Sequence, residues 1–198
     1  QSASCRNGSM QRQRQTAQLC VPLILGEQSA APPIQTDERL NEFDYLDILS
    51  AHIPNCSSDA ALLGFLNQQS GDPRRVFQRL FSEAVAHWVA HERKIDGSAY
   101  RERWHEFQQR TQAALTDAVG LARAEGVNVM LFTSGGVISA MVQNLLGIGD
   151  ERIFDLNSTL LNTGITRLRV GHKRVHLDYL NACPHLELQR QADLQTHR

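Results

Sequence analysis

Excess charge of one sign, clustered cysteines and long apolar runs are all missing from this sequence. Its 198 residues carry 20 Lys and Arg against 21 Asp and Glu, a formal net charge of -1. That balance supplies no bulk field for holding nucleic acid or an anionic membrane, so neither is expected as a partner. The four cysteines, Cys5, Cys20, Cys56 and Cys183, match no zinc or redox spacing and are too sparse for a disulfide scaffold. A reducing cytoplasm is the expected compartment. No apolar run approaches the roughly 18–20 residues that a membrane span needs. No signal-peptide pattern is visible, and there is no internal repeat or low-complexity tract. The chain opens on Gln1 rather than Met, so a fragment or a processed product is expected.

What is present suits one globular domain. Hydrophobic residues make up 41%, enough for a core at this length. Ser9 is placed to cap a helix from Met10 to Leu25, which ends at Gly26. Gln28 to Gln35 reads as loop. Asp37 to Leu49 is short and mixed, and a turn of helix fits Ala60 to Leu66. Asp72-Pro73 is a helix start, an N-cap with proline behind it. After it, Val76, Phe77, Leu80, Phe81, Ala84, Val85, Trp88 and Val89 share one face. Asp96-Gly97-Ser98 breaks the pattern. A second stripe then runs through Tyr100, Trp104, Phe107, Thr111, Ala114, Leu115, Ala118 and Leu121 to Gly126.

Val127 to Phe132 is short, apolar and partly β-branched, as a strand buried on both faces should be. A helix over about Val137 to Leu146 follows, stopped by Gly147. Thr166, Leu168 and Val170 alternate with polar residues. So do Val175, Leu177 and Tyr179 beyond a Gly171-His172 turn, which makes a hairpin. The grammar is α/β, with a mixed, mostly parallel sheet.

Three segments carry candidate chemistry. In VMLFTSGGVI, a strand delivers Thr133 and Ser134 to its end. Gly135-Gly136 then turn tightly into a helix whose first amides can hold an anion. The bland reading is a strand-to-helix connection with Ser134 as N-cap. In GSMQRQRQTA, Arg12 sits in a first helical turn, where a cation opposes the helix dipole unless an anion lies between them. Arg also offers the fork that phosphate prefers. Here the bland reading is a solvated Gln- and Arg-rich face. The third segment, LNEFDY, presents Glu42 after a loop and is weak alone.

Taken in order, Ser9–Ala17 with Arg12, Leu40-Asn41-Glu42, Phe107-Gln108-Gln109-Arg110, the TSGGVIS turn, Asn162 opening a strand and Asn181–Leu186 (NACPHL) resemble the histidine phosphatase superfamily, the phosphoglycerate-mutase-like proteins. The likeness spans roughly Gly8 to Glu187. It implies a three-layer α/β/α fold and hydrolysis of a phosphate monoester through a phosphohistidine, with no metal or other cofactor and a small phosphorylated substrate as partner. In such proteins the nucleophile lies in an Arg-His-Gly motif at the end of a central first strand. By the same likeness, Arg12 matches a phosphate-clamping arginine and Glu42 the general acid. Ser134 stands where a second histidine would be, and Ser134 with the Gly135 amide would hold phosphoryl oxygens.

Two departures qualify the likeness. No Arg-His-Gly occurs in the sequence, and roughly 40–50 residues of strand, helix and loop are expected ahead of Ser9. Residues 1–188 are thus expected to form one such domain lacking its N-terminal strand, with 189–198 a polar tail. Serine also cannot supply the cationic hydrogen bond of an imidazolium, and loss of one such donor costs about 10²–10³ in rate. A truncated, inactive piece of an enzyme and a non-catalytic phospho-ligand-binding or scaffold relative both remain open. His87 and His91 have metal-ligand spacing but lack the glutamate of HExxH. Ser134 fails G-x-S-x-G, because Phe132 occupies the first glycine's place. Met10, Met130 and Met141 read as core fillers.

Overall fold

The computed structural model describes residues 3–26, 32–53, 55–189 and 194–196. Ala3–Asn7 forms strand β1, Ile34–Thr36 strand β2 and Asn128–Phe132 strand β3. They make a parallel sheet in the order β2-β1-β3, with Cys5 facing both Ile34 and Met130. β1 lies in a stretch with no strand signal. Its inward positions are Cys5 and Asn7, so the period-2 pattern that marks a strand is carried by one small thiol and one amide. β2 corrects the loop reading of Gln28–Gln35 at its end, while residues 28–31 of that stretch lie outside the described residues.

β3 is not buried on both faces. Asn128 is exposed and the other four residues are half-buried, because β3 pairs with β1 only and forms an edge of the sheet among the described residues. The hairpin is as expected. β4 (Ile165–Val170) and β5 (Val175–Ala182) pair antiparallel, with Leu168 opposite Leu177. It forms its own two-stranded sheet, so the sheet expected to be mixed resolves into a parallel one and a hairpin. β3 and β4 both lie against one helix, α5 (Trp104–Glu125).

Helix α1 spans Gln11–Leu25, with Met10 rather than Ser9 at its N-cap. The Ser9 amide and hydroxyl are instead taken by the side chain of Asn41, at 2.7 and 2.8 Å. Gln13, Ala17 and Val21 form the buried stripe of α1. Short helices α2 (Tyr45–Leu49) and α3 (Asp59–Asn67) lead to α4 (Pro73–Ala90), where the Asp72 carboxylate caps the Arg74 amide. α5 begins after Tyr100, which is buried in the preceding loop, and stops at Gly126, whose φ of 63° suits glycine. α6 (Gly135–Leu146), α7 (Ile153–Thr159) and α8 (Pro184–Glu187) complete the chain, and Asn162 precedes β4 rather than opening it. Thr196 meets Asn162 through a 2.9 Å backbone hydrogen bond, while 190–193 and 197–198 of the polar tail lie outside the described residues.

The core sits between α4, α5, α6 and the segment after β2. Phe43, Trp88, Trp104 and Phe107 interlock there, with Trp88 5.3 Å from Phe43 and 5.2 Å from Trp104 between ring centroids. Such offset and edge contacts add to the large apolar area that each ring buries. Met141 joins this core, whereas Met10 and Met130 are only half-buried.

Candidate active site

The strand-turn-helix of residues 128–146 delivers Ser134 to the end of β3 as N-cap of α6. Its side chain does not cap the helix. It turns toward α1, where its Oγ accepts from Arg12 Nη2 at 3.1 Å and from Gln13 Nε2 at 2.8 Å. Residues 121 and 122 positions apart thus meet in one hydroxyl. The first turn of α1 is not a solvated face throughout, since Gln13 is 2% exposed.

Glu42 arrives from the segment between β2 and α2. Its Oε2 accepts from the Gly136 amide at 3.1 Å, and its Oε1 from the Phe43 amide at 3.3 Å. A carboxylate at the N-terminus of α6 is favoured by the helix dipole. The approach requires glycine: a Cβ at Gly136 would run into Glu42 Oε1 and the Phe43 ring. Gly135 heads the same helix turn, and a Cβ there would sit 3.0 Å from Asn157 Oδ1.

The segment that carries Glu42 is pinned from several sides. The Leu40 carbonyl accepts from Thr133 Oγ1 at 2.7 Å and from Gln13 Nε2 at 3.0 Å. Arg110 Nη1 donates to the carbonyls of Arg39 and Asn41 at 2.8 and 2.7 Å, while Glu102 holds the other side of the same guanidinium. That guanidinium lies 4.6 Å from the centre of the Phe107 ring, a cation–π distance. One turn earlier, Asp37 caps the 3₁₀ turn Glu38–Leu40. The hydrogen bond from Arg39 holds the Asp37 carboxyl below its usual range, with Arg6 assisting. The paired Asp37 and Asp117 carboxylates raise Arg39 in turn.

The structure therefore brings Arg12, Glu42, Ser134 and Gly135 to the C-terminal end of β3. Sequence reasoning quoted Asn41, Arg110 and Thr133 within its motifs without giving them their part in holding the arrangement, and it missed Gln13. A signal for Gln13 existed: Ala17 and Val21 continue its register at four-residue steps, which puts Gln13 on the buried stripe. The other candidates are placed elsewhere. His87 and His91 stack at 4.2 Å, and His87 Nδ1 meets the Tyr100 hydroxyl at 2.8 Å. Among the described residues, no group of three or more His, Cys, Asp or Glu is arranged to hold a metal ion, and no helix is long and apolar enough to cross a membrane. Asn181, at φ 56°, ties Leu161 and Thr159 to the hairpin, and His185 meets Thr163. Burial pushes the Cys5 and Cys183 thiols up, away from nucleophilic use.

The family model of the histidine phosphatase superfamily (branch 1) matches residues 66–182, more than half of the chain. The chain belongs to that superfamily. Among solved structures it is similar to a phosphoglycerate mutase from Bacillus anthracis, with TM-score 0.55 and 14% identity over 95% of this chain and 76% of that one. It is similar to an alpha-ribazole phosphatase from Shigella flexneri, with TM-score 0.54 and 15% identity over 90% and 73%. A mycobacterial glucosyl-3-phosphoglycerate phosphatase solved with inorganic phosphate gives TM-score 0.51 and 19% identity over 90% and 76%. At these identities the likeness to solved structures is one of fold. No curated protein sequence matches the chain.

Proposed function

We propose that this chain carries a phosphate-monoester site of the histidine-phosphatase type. Arg12 clamps the phosphate. Ser134 and the Gly135 amide hold phosphoryl oxygens, and Glu42 protonates the leaving oxygen. The observation that carries this reading is the meeting of Arg12 and Glu42, from two separate segments, at the single turn Ser134-Gly135-Gly136. Guanidinium, hydroxyl and the Gly135 amide together offer an anion both charge and directed donors. The ligand class is a small phosphorylated molecule, in keeping with the family and with the phosphate held by the mycobacterial relative.

The same site holds no Arg-His-Gly nucleophile in its sequence, and without an imidazole no phosphohistidine forms. On this reading the chain as given binds phosphate and does not turn it over. Ser134 in the second histidine's place favours a further reading, a non-catalytic phospho-ligand-binding member of the family. Incubation with p-nitrophenyl phosphate tests the chemistry. The expected result is no phosphoenzyme burst and hydrolysis at the level of buffer. Hydrolysis well above buffer that disappears in Arg12→Ala would show a different nucleophile at work.

A further inference from the structure

Two protein donors converge on the Ser134 hydroxyl. A serine oxygen has two acceptor positions and one proton to give. Arg12 Nη2 at 3.1 Å and Gln13 Nε2 at 2.8 Å fill both acceptor positions. The proton is left with the one remaining direction. The Gln13 amide cannot serve the other way round. Its Nε2 also donates to the Leu40 carbonyl at 3.0 Å, and a flipped amide would set its oxygen against that carbonyl oxygen. Both Nε2 protons are therefore spent, one on Leu40 and one on Ser134.

The far end of the same side chain is poorly served. Gln13 Oε1 is buried against Gly8, where a Cβ would collide with it, and it has no hydrogen-bond partner. An orphaned buried acceptor is costly, and an apolar side chain of the same length would avoid it. Thr133 already serves the Leu40 carbonyl at 2.7 Å. Packing and backbone satisfaction alone thus give no reason for an amide at position 13. The donor it points at Ser134 does.

We propose that Gln13 is a positioning residue that, together with Arg12, makes the Ser134 hydroxyl a dedicated hydrogen-bond donor to the bound phosphoryl group. The inference rests on the phosphate-site reading above. Amide and guanidinium hold the oxygen from behind, so the hydroxyl reaches a phosphoryl oxygen without first breaking another bond. This preorganised donor stands in part for what a cationic imidazole would offer. Gln13 touches no substrate and acts only through Ser134.

Titration calorimetry with inorganic phosphate tests this. Gln13→Met is expected to weaken binding by about tenfold, the usual size for a hydrogen bond to a charged group. Its thermal midpoint should be unchanged or higher, because the orphaned acceptor is gone. In a Ser134→Ala background the same substitution is expected to change affinity by less than about twofold, the signature of a residue that works through another. In the unsubstituted chain, the side-chain amide signals of Gln13 should shift as phosphate is added. Equal weakening in both backgrounds, or silent Gln13 signals at saturating phosphate, overturns the role of Gln13 even where Arg12→Ala abolishes binding. Phosphate binding that ignores Arg12→Ala overturns the phosphate site itself, and this inference with it.

Discussion

The turn at Thr133–Gly136 and the aromatic cluster around Trp88 adjoin each other through Phe43 and are held together by different physics. The cluster is apolar and largely buried, built from whole side-chain faces of α4 and α5. The turn is polar, and most of its links are single hydrogen bonds between segments far apart in the chain. Burial is forgiving of direction, while a hydrogen bond is not. The cluster therefore stabilises the domain, and the turn specifies where four or five polar groups point.

The largest expected effect lies on the apolar side. Trp88 is 1% exposed and packs on Phe43, Trp104 and Phe107. Trp88→Ala should lower the free energy of unfolding by about 3–5 kcal/mol, read from urea denaturation. A loss under about 1 kcal/mol would mean that the cluster is not the main support of the domain.

Gly136→Ala sits where the two regions touch. The added methyl would press on both Glu42 and Phe43, and overpacking of this kind typically costs about 1–3 kcal/mol. The comparison is sharpened by a second readout: the variant should also lose phosphate affinity, because the Glu42–Gly136 contact must open. Stability lost without any change in phosphate binding would separate the turn from the proposed site.

The smallest effect is a pH dependence carried by histidine. Burial, with nearby His91 and His52, holds His87 below its ordinary value of 6.5. The groups facing it are His52 at 5.7 Å, His91 at 4.2 Å and the Tyr100 hydroxyl. The folded state therefore disfavours the proton that the unfolded chain accepts near 6.5. That contribution to stability is complete above this pH and declines as the pH falls through it toward the lower folded value. Denaturation curves across pH 5 to pH 8 should show a decline on the acid side. His87→Phe should flatten it, and an unchanged slope would assign the decline to other groups.

Legibility in the sequence followed the same division. α4 and α5 were readable because Trp88, Phe107 and their neighbours repeat at helical spacing, and the β4–β5 hairpin because its apolar residues alternate. β1 was not, since ASCRN buries only Cys5 and Asn7. β2 is three residues long and follows Pro33, too short for any period. β3 looked like an interior strand because composition reports hydrophobicity and not how many neighbours a strand has. Arg12, Glu42 and Ser134 could be singled out through an ordered set of short motifs. Their meeting at one phosphate site was expected from that likeness, whereas the bonds from Arg12 and Gln13 to the Ser134 hydroxyl depend on side-chain directions set by the fold. The part played by Arg110, itself among the quoted motifs, stayed hidden for a related reason: its guanidinium serves the carbonyls of Arg39 and Asn41, and backbone acceptors leave no mark in a sequence.

The most direct test is a map of where phosphate binds. A hollow lies elsewhere on the molecule, lined by Asp47, Ser50, Lys94, Ser98 and Arg101, and it too carries cationic groups. There Lys94 is already paired with Asp47 at 2.6 Å, and Arg101 with Asp44 at 2.6 Å. Amide and arginine side-chain signals should be followed by nuclear magnetic resonance while inorganic phosphate is added. The predicted result is that Gly135, Gly136 and the Arg12 guanidinium shift together with one affinity, while Lys94, Ser98 and Arg101 stay still. Shifts centred on the Lys94 hollow, or none at the Ser134 turn, would contradict the account.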